Sequence, residues 1–178
     1  MKVIIFCTTV MVTRLVADLL GKLSLNVREI HSRKPQSYRT RVSDEFRKSK
    51  SIILVTSDVS ARGVDYPDVS LVVHMGLPLD KEQYIHRLGR TRRKGKEGEG
   101  VLLLAPWEEY FLSSVKDLPI TKSSLPPIDH EAVKKVSYLS CLCVDDEGEE
   151  VSKIGGPKSV ENGTKSVENS QVLNTRVG

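Results

Sequence analysis

Aromatic residues are scarce in this chain: one Trp, five Tyr and three Phe among 178 residues. Large rings supply much of the buried area of an ordinary core. So low a content predicts that part of the chain stays outside any core. Cysteine is scarcer. Cys7, Cys141 and Cys143 cannot build a disulfide framework. The Cys141/Cys143 pair has no second pair to complete a zinc site, so all three read as reduced thiols. No apolar run approaches the roughly 20 residues that a membrane helix needs, so no membrane partner is expected. The first residues carry no cleavage-site pattern, and no secretory leader is expected. A phosphate-cradling G-x-x-x-x-G-K-[ST] loop is absent too. The run Gly95-Lys96-Glu97-Gly98-Glu99-Gly100 is rich in glycine but has the wrong order and no hydroxyl. No tandem carboxylate pair follows a strand to hold Mg²⁺, so no metal site is expected in this chain.

Charge is plentiful, and its distribution says more than its sum. The chain has 27 Lys+Arg against 23 Asp+Glu. Residues 1–100 hold 19 basic and 11 acidic residues, whereas residues 101–178 hold 8 and 12. A basic front and an acidic back point to a polyanionic partner for the front.

The front alternates short apolar runs with amphipathic ones. Lys2 to Thr8, Leu25 to Ile30, Ile52 to Val55, Ser70 to Val73 and Val101 to Leu104 read as buried strands. Between the first two, Val12, Leu15, Val16, Leu19 and Leu20 recur with the spacing of one helix face. Pro35 opens a helix, where its missing N–H is no loss, with Tyr38, Val42 and Phe46 inward. Asp80 caps another, with Gln83 three residues on to complete a capping box. Pro106 starts a further helix bearing Tyr110 and Phe111. Continuous apolar strands separated by helices call for an α/β fold, a mostly parallel sheet covered on both faces. Ligands of such sheets sit beyond the carboxyl ends of the strands.

After Val144 this pattern stops. An acidic run, Asp145 to Glu150, is followed by two copies of a seven-residue polar unit, residues 158–164 and 165–171. One Val per unit cannot form a coiled-coil seam. The expected division is a domain over residues 1–136 and a low-complexity tail over 137–178, with 144–178 disordered and dispensable.

Three segments carry groups fit for chemistry. The densest is His86-Arg87-Leu88-Gly89-Arg90-Thr91-Arg92-Arg93. Guanidinium groups stay charged and fork onto phosphate oxygens. On a continuous helix His86, Arg90 and Arg93 share one side. A bare arginine run is more often a solvated helix end, but this one falls where the ligand edge belongs. The second, Thr56 to Pro67, offers hydroxyls at Thr56, Ser57 and Ser60 and carboxylates at Asp58 and Asp65. It also holds Arg62 and, at Ala61 and Gly63, room for close backbone approach. Asp65 suits a ribose hydroxyl; the bland alternative is a turn with Asx caps. The third, Ser32 to Arg41, is basic and opens a helix, so an anion at that terminus would be well placed. Phosphate-reaching arginines without a phosphate cradle amount to half of a phosphoryl-transfer site.

Together these segments resemble the second, C-terminal RecA-like domain of the DEAD-box ATP-dependent RNA helicases, over about residues 1–136. Val3-Ile4-Ile5-Phe6-Cys7-Thr8-Thr9 resembles the family's motif IV, and Gln36-Ser37-Tyr38-Arg39 its motif IVa. Thr56 to Asp65 resembles motif V, and His86 to Arg93 resembles motif VI. The wording of residues 31–36 and 98–109 is similar to that of plant and fungal organellar members. The resemblance implies a P-loop NTPase-like parallel sheet and ATP as cofactor. Mg²⁺ would be held through a partnering N-terminal RecA-like domain, and RNA bound along its sugar-phosphate backbone. It implies that Arg90 and Arg93 are arginine fingers toward the γ-phosphate, and that His86 and Arg87 bridge to the acidic motif of the N-terminal domain. Asp65 would bind the ATP ribose. Arg39, Ser57, Asp58, Arg62 and Gly63 would lie along the RNA backbone or link it to the nucleotide. The resemblance also implies an intracellular location, with mitochondrion and chloroplast as candidate compartments. The chain departs from the family's usual wording at Arg92, where Gly is common, at Ser57 (Thr) and at Gly76 (Asp).

The function so implied is one half of an RNA-dependent ATPase, a fragment inactive by itself. A non-catalytic RNA-binding or regulatory module and a pseudogene product are the competing readings. A DNA helicase of the same superfamily is a third, disfavoured by the His86-Arg87 pair.

Overall fold

The computed structural model describes residues 1–57, 66, 68–91, 98–123 and 171–177. In chain order the elements are β1 (Lys2–Cys7), α1 (Val10–Lys22), β2 (Val27–Ile30), α2 (Gln36–Lys48), β3 (Ile52–Ser57) and β4 (Leu71–Met75). They continue with α3 (Lys81–Leu88), β5 (Gly98–Leu104), a 3₁₀ turn (Pro106–Phe111), the short α4 (Leu112–Val115), β6 (Ile120–Ser123) and β7 (Gln171–Val177). The strands form one sheet in the order β2-β3-β1-β4-β5-β7-β6. The first five in that order run parallel, while β7 lies antiparallel between β5 and β6.

One row of the sheet shows how the core is built. Ile30, Thr56, Phe6, His74, Leu102 and Leu173 stand in register across six strands. All six are buried. Over one end of this face lies α2, whose Val42 and Phe46 pack with Ile4, Phe6, Ile30 and Leu54. Over the other end lies α3, whose Tyr84 and Leu88 pack with Leu102, Leu104 and Leu173. The opposite face receives α1 through Val16, against Cys7 and Val55. Helices therefore cover both faces, as expected.

Two expectations need correction. Leu15 does not face the core: it is 52% exposed, and buried Thr13 takes the inward place beside Val16. The Thr13 hydroxyl donates to the Thr9 carbonyl at 2.8 Å, which lets a polar residue sit inside the first turn. The second correction concerns the tail. Gln171–Val177 is a strand rather than a disordered end, paired along its whole length with β5. The reason is the edge that β5 would otherwise present, a row of unpaired N–H and C=O groups. Buried Val172, Leu173 and Thr175 complete the cover. The acidic run, the seven-residue repeat, Cys141, Cys143 and the proposed boundary at residue 136 lie outside the described residues.

Candidate functional site

The parallel strands end together. Cys7 is in register with Ser57 on one side and with Met75 on the other, and Met75 with Leu103. Their carboxyl ends thus bring residues 8–9, 31–35, Ser57 and 76–79 to one edge. The turn after β4 is specified by glycine: Gly76 has φ +99°, and a Cβ there would stand 2.5 Å from Cγ2 of Thr8. A side chain would be strained by the backbone and blocked by Thr8, so glycine suits this turn.

At this edge α2 begins without a side-chain cap, since Pro35 holds the N-cap position. Its first N–H groups are therefore left for another acceptor. Around them stand Arg33, Lys34, Arg39 and Arg41. The Tyr38 ring lies between two cations, Lys34 Nζ at 5.1 Å and Arg41 Cζ at 5.3 Å. Arg39 Nε is buried with no acceptor among the described residues. The loop leading here is fixed by His31, a residue whose role the sequence did not disclose. Its buried ring accepts the Arg33 N–H at Nδ1, 3.2 Å away. Burial holds the His31 pKa below the ordinary imidazole value. Glu29 works against that shift, while Lys34, Arg14 and Arg33 add to it. A neutral ring is what an Nδ1 acceptor requires.

The other cationic group sits on α3. Asp80 caps this helix, its Oδ1 accepting the Gln83 N–H at 2.6 Å. The Gln83 side chain reaches back to the Leu79 N–H, one residue beyond the position a capping box predicts. The helix ends at Leu88, earlier than a run to Arg93 would require, and Gly89, Arg90 and Thr91 turn away through bonds to Ile85, Arg87 and Leu88 carbonyls. His86 and Arg90 do come together: Arg90 Nη2 lies 2.9 Å from His86 Nε2. Arginine only donates, so Nε2 accepts and the ring carries its proton on Nδ1.

Arg87 departs from expectation. It is 3% exposed, on the inner side of α3 with Tyr84 and Leu88. Its guanidinium faces His74 Nδ1 at 3.3 Å and the Phe6 ring, 5.1 Å from the centroid. Three residues after Tyr84, it follows the buried stripe rather than the open edge. In this arrangement His86 is the exposed member of the His86-Arg87 pair and Arg87 the buried one. Ser57 ends β3 and is also buried. Asp58, Arg62, Gly63, Asp65, Arg92 and Arg93 lie outside the described residues. The residue that sequence reasoning missed is His74. A lone histidine within the apolar run of β4 offers little signal of its own.

Residues 1–95 match the family described as the helicase conserved C-terminal domain. The chain belongs to that family. Its curated relatives are DEAD-box proteins. It is 96% identical over 135 residues to DEAD-box ATP-dependent RNA helicase 25 of Arabidopsis thaliana, covering 76% of this chain and 24% of that protein. It is 73% identical over 135 residues to DEAD-box ATP-dependent RNA helicase 31 of Oryza sativa subsp. japonica, covering 76% and 25%. The chain thus spans about a quarter of the length of these relatives. Among solved structures it resembles the DEAD-box helicase Mss116 bound to single-stranded RNA and UDP-BeF, with a TM-score of 0.68 and 37% identity. That match covers 76% of this chain and 28% of the other. It also resembles the C-terminal domain of the DEAD-box protein Dbp5, with a TM-score of 0.59 and 32% identity over 65% of this chain and 68% of that one.

Proposed function

We propose that this domain supplies the RNA-backbone surface and the arginine side of a composite ATP site in an RNA-dependent ATPase, and does not hydrolyse ATP alone. The observation that carries this reading is the placement of cations at two helices of one parallel sheet. Arg39 stands beside the uncapped start of α2, and Arg90 stands beside exposed His86 just past the end of α3. Backbone phosphates are recognised without reading sequence by such donors. Arg39 with Ser57, Asp58, Arg62 and Gly63 forms the RNA side of the proposal; Asp65, Arg90 and Arg93 form the nucleotide side.

The residues present fit ATP in part. Arginines can neutralise charge on a transferring phosphoryl group, an effect of roughly 10³–10⁵ in rate when the rest of the site is assembled. A cradle for the β- and γ-phosphates is absent from the sequence. That cradle, the residues that hold Mg²⁺ and the positioning of water fall to an N-terminal RecA-like domain. Mg²⁺ held there would supply neutralisation of phosphate charge. This chain's own residues orient the RNA backbone and present Arg90 and His86 to the nucleotide from the opposite side.

The experiment is a titration of two unrelated single-stranded RNAs at several salt concentrations, with wild type and Arg39→Ala. Binding should be weak, indifferent to sequence and steeply salt-dependent. Loss of Arg39 should lower the logarithmic salt slope by about 0.7, the contribution of one phosphate contact to a single strand. Sequence-selective binding that is flat with salt contradicts the proposal.

A further inference from the structure

His74 sits in β4 in the buried row of the sheet, with 0% exposure. Its ring packs against Phe6 and Tyr84 in tilted contacts, with centroids 6.1 and 4.8 Å away. Tyr84 is held in turn by its hydroxyl, 2.7 Å from the Thr175 Oγ1 of β7. The imidazole therefore has little freedom to turn, and its Nδ1 is aimed at Arg87 Nη1. Because a guanidinium has no acceptor, this contact fixes the tautomer: Nδ1 carries the lone pair and Nε2 the proton. That Nε2 is buried and has no partner among the described residues. For packing alone, an apolar side chain would fill the place without leaving a donor unpaired. A histidine here is explained by what its other nitrogen holds.

Arg87 is the last-turn residue of α3 that turns inward, and its position governs the turn beyond the helix. Its carbonyl accepts the Arg90 N–H at 3.1 Å, one of the bonds that bend the chain after Leu88. His86 precedes it directly, and His86 and Arg90 meet on the outer side. We propose that His74 is a positioning residue: its Nδ1 lone pair anchors the Arg87 guanidinium, and that anchor sets the end of α3 from which His86 and Arg90 present their side chains. Burial, reinforced by the nearby Arg87 charge, lowers the His74 pKa to about 3, so the acceptor persists at neutral pH. An imidazolium would have no lone pair to offer and would repel the guanidinium. Only the consequence for ATP turnover rests on the function proposed above; the anchor itself is a property of this chain.

The test is nuclear magnetic resonance on the isotopically labelled 178-residue chain, beside His74→Gln, which keeps an acceptor, and His74→Leu, which does not. In the wild type, His74 should show the Nε2–H tautomer and no titration between about pH 5 and 8. The Arg87 guanidinium protons should exchange more slowly than those of Arg90. In the Leu variant that protection should fall about tenfold, the worth of one net hydrogen bond. The backbone signals of His86, Arg90 and Thr91 should shift, while those of β2 and β3 stay put. The Gln variant should restore both protection and shifts. An Nδ1–H tautomer in the wild type overturns the proposal even if the Leu variant fails to fold. So does a folded Leu variant with unchanged Arg87 protection and unchanged signals at the end of α3. Neither readout depends on ATP hydrolysis, so a failed ATPase assay and a failed anchor are told apart.

Discussion

The two sides of α3 put the same chemistry to opposite uses. On the outer side, Arg90 meets exposed His86. On the inner side, Arg87 meets His74 in the core. Each pair joins an arginine donor to an imidazole acceptor, and the two arginines are three residues apart. What separates them is the sheet beneath. Tyr84, Arg87 and Leu88 take the stripe that packs on β4, β5 and β7, and Arg90 follows the helix end into the turn. A dense arginine motif thus holds both outward-facing and scaffold-facing cations, and only the register of the helix tells which is which.

The inner side should be broken most severely by removing its support. Ending the chain at residue 170 deletes β7, and with it buried Val172 and Leu173 and the Thr175 partner of Tyr84. At about 1.5–3 kcal/mol per fully buried large apolar side chain, the loss should be roughly 3–6 kcal/mol. Urea unfolding of the truncated chain checks this; an unchanged midpoint would mean that β7 is not a working part of the sheet.

Single substitutions sharpen the contrast. Arg87→Ala should cost about 2–4 kcal/mol, because it removes a packed guanidinium stem and leaves the His74 acceptor buried and unmet. Arg90→Ala should stay within about 0.5 kcal/mol, as surface changes do. Equal costs in urea unfolding would erase the distinction between the two sides. Gly100 tests the packing beneath: a Cβ there would stand 2.0 Å from Leu88 Cδ2. Gly100→Ala should therefore cost about 1–3 kcal/mol by pushing Leu88 off the sheet.

A further contrast is one of pH. His74 has a folded pKa of about 3 against an ordinary 6.5, so between these values the unfolded chain binds the extra proton. Its contribution is full above about pH 6.5 and is lost as pH falls toward about 3, by at most about 1.4 kcal/mol per pH unit. His31 is shifted in the same direction and adds to the slope. Changing His74 to Gln should flatten the acid limb of a stability–pH curve; an unaltered slope would show that the ring is protonated in the folded chain.

Much of the parallel half was legible in the sequence. Continuous apolar runs marked β1, β3, β4 and β5, and Asp80 and Pro35 marked helix starts, because local rules and tertiary packing agree there. The antiparallel end was not legible. In Gln171–Val177 apolar and polar residues mix, the strand comes after a polar repeat, and its partners β5 and β6 are distant in sequence. Only the sheet's open edge selects it. Of the residues that the motif wording singled out, Arg39, Ser57, His86, Arg87 and Arg90 are described. That Arg87 points inward while His86 points outward could not be read from residue type, which says nothing of direction. The helical spacing that would bring Arg93 beside His86 was not decisive, because α3 stops at Leu88. His74 and His31 could be found only by asking which buried polar atoms have partners.

The central claim is that Arg90 serves a nucleotide held mainly by another domain. It is tested most directly by RNA-stimulated phosphate release from ATP, measured for this chain alone, for the N-terminal RecA-like domain of a relative alone, and for the two mixed. Each half should give only background rates, the mixture should release phosphate, and Arg90→Ala should lower that release about 10³-fold or more. Robust release by this chain alone, or a mixture indifferent to Arg90→Ala, would contradict it.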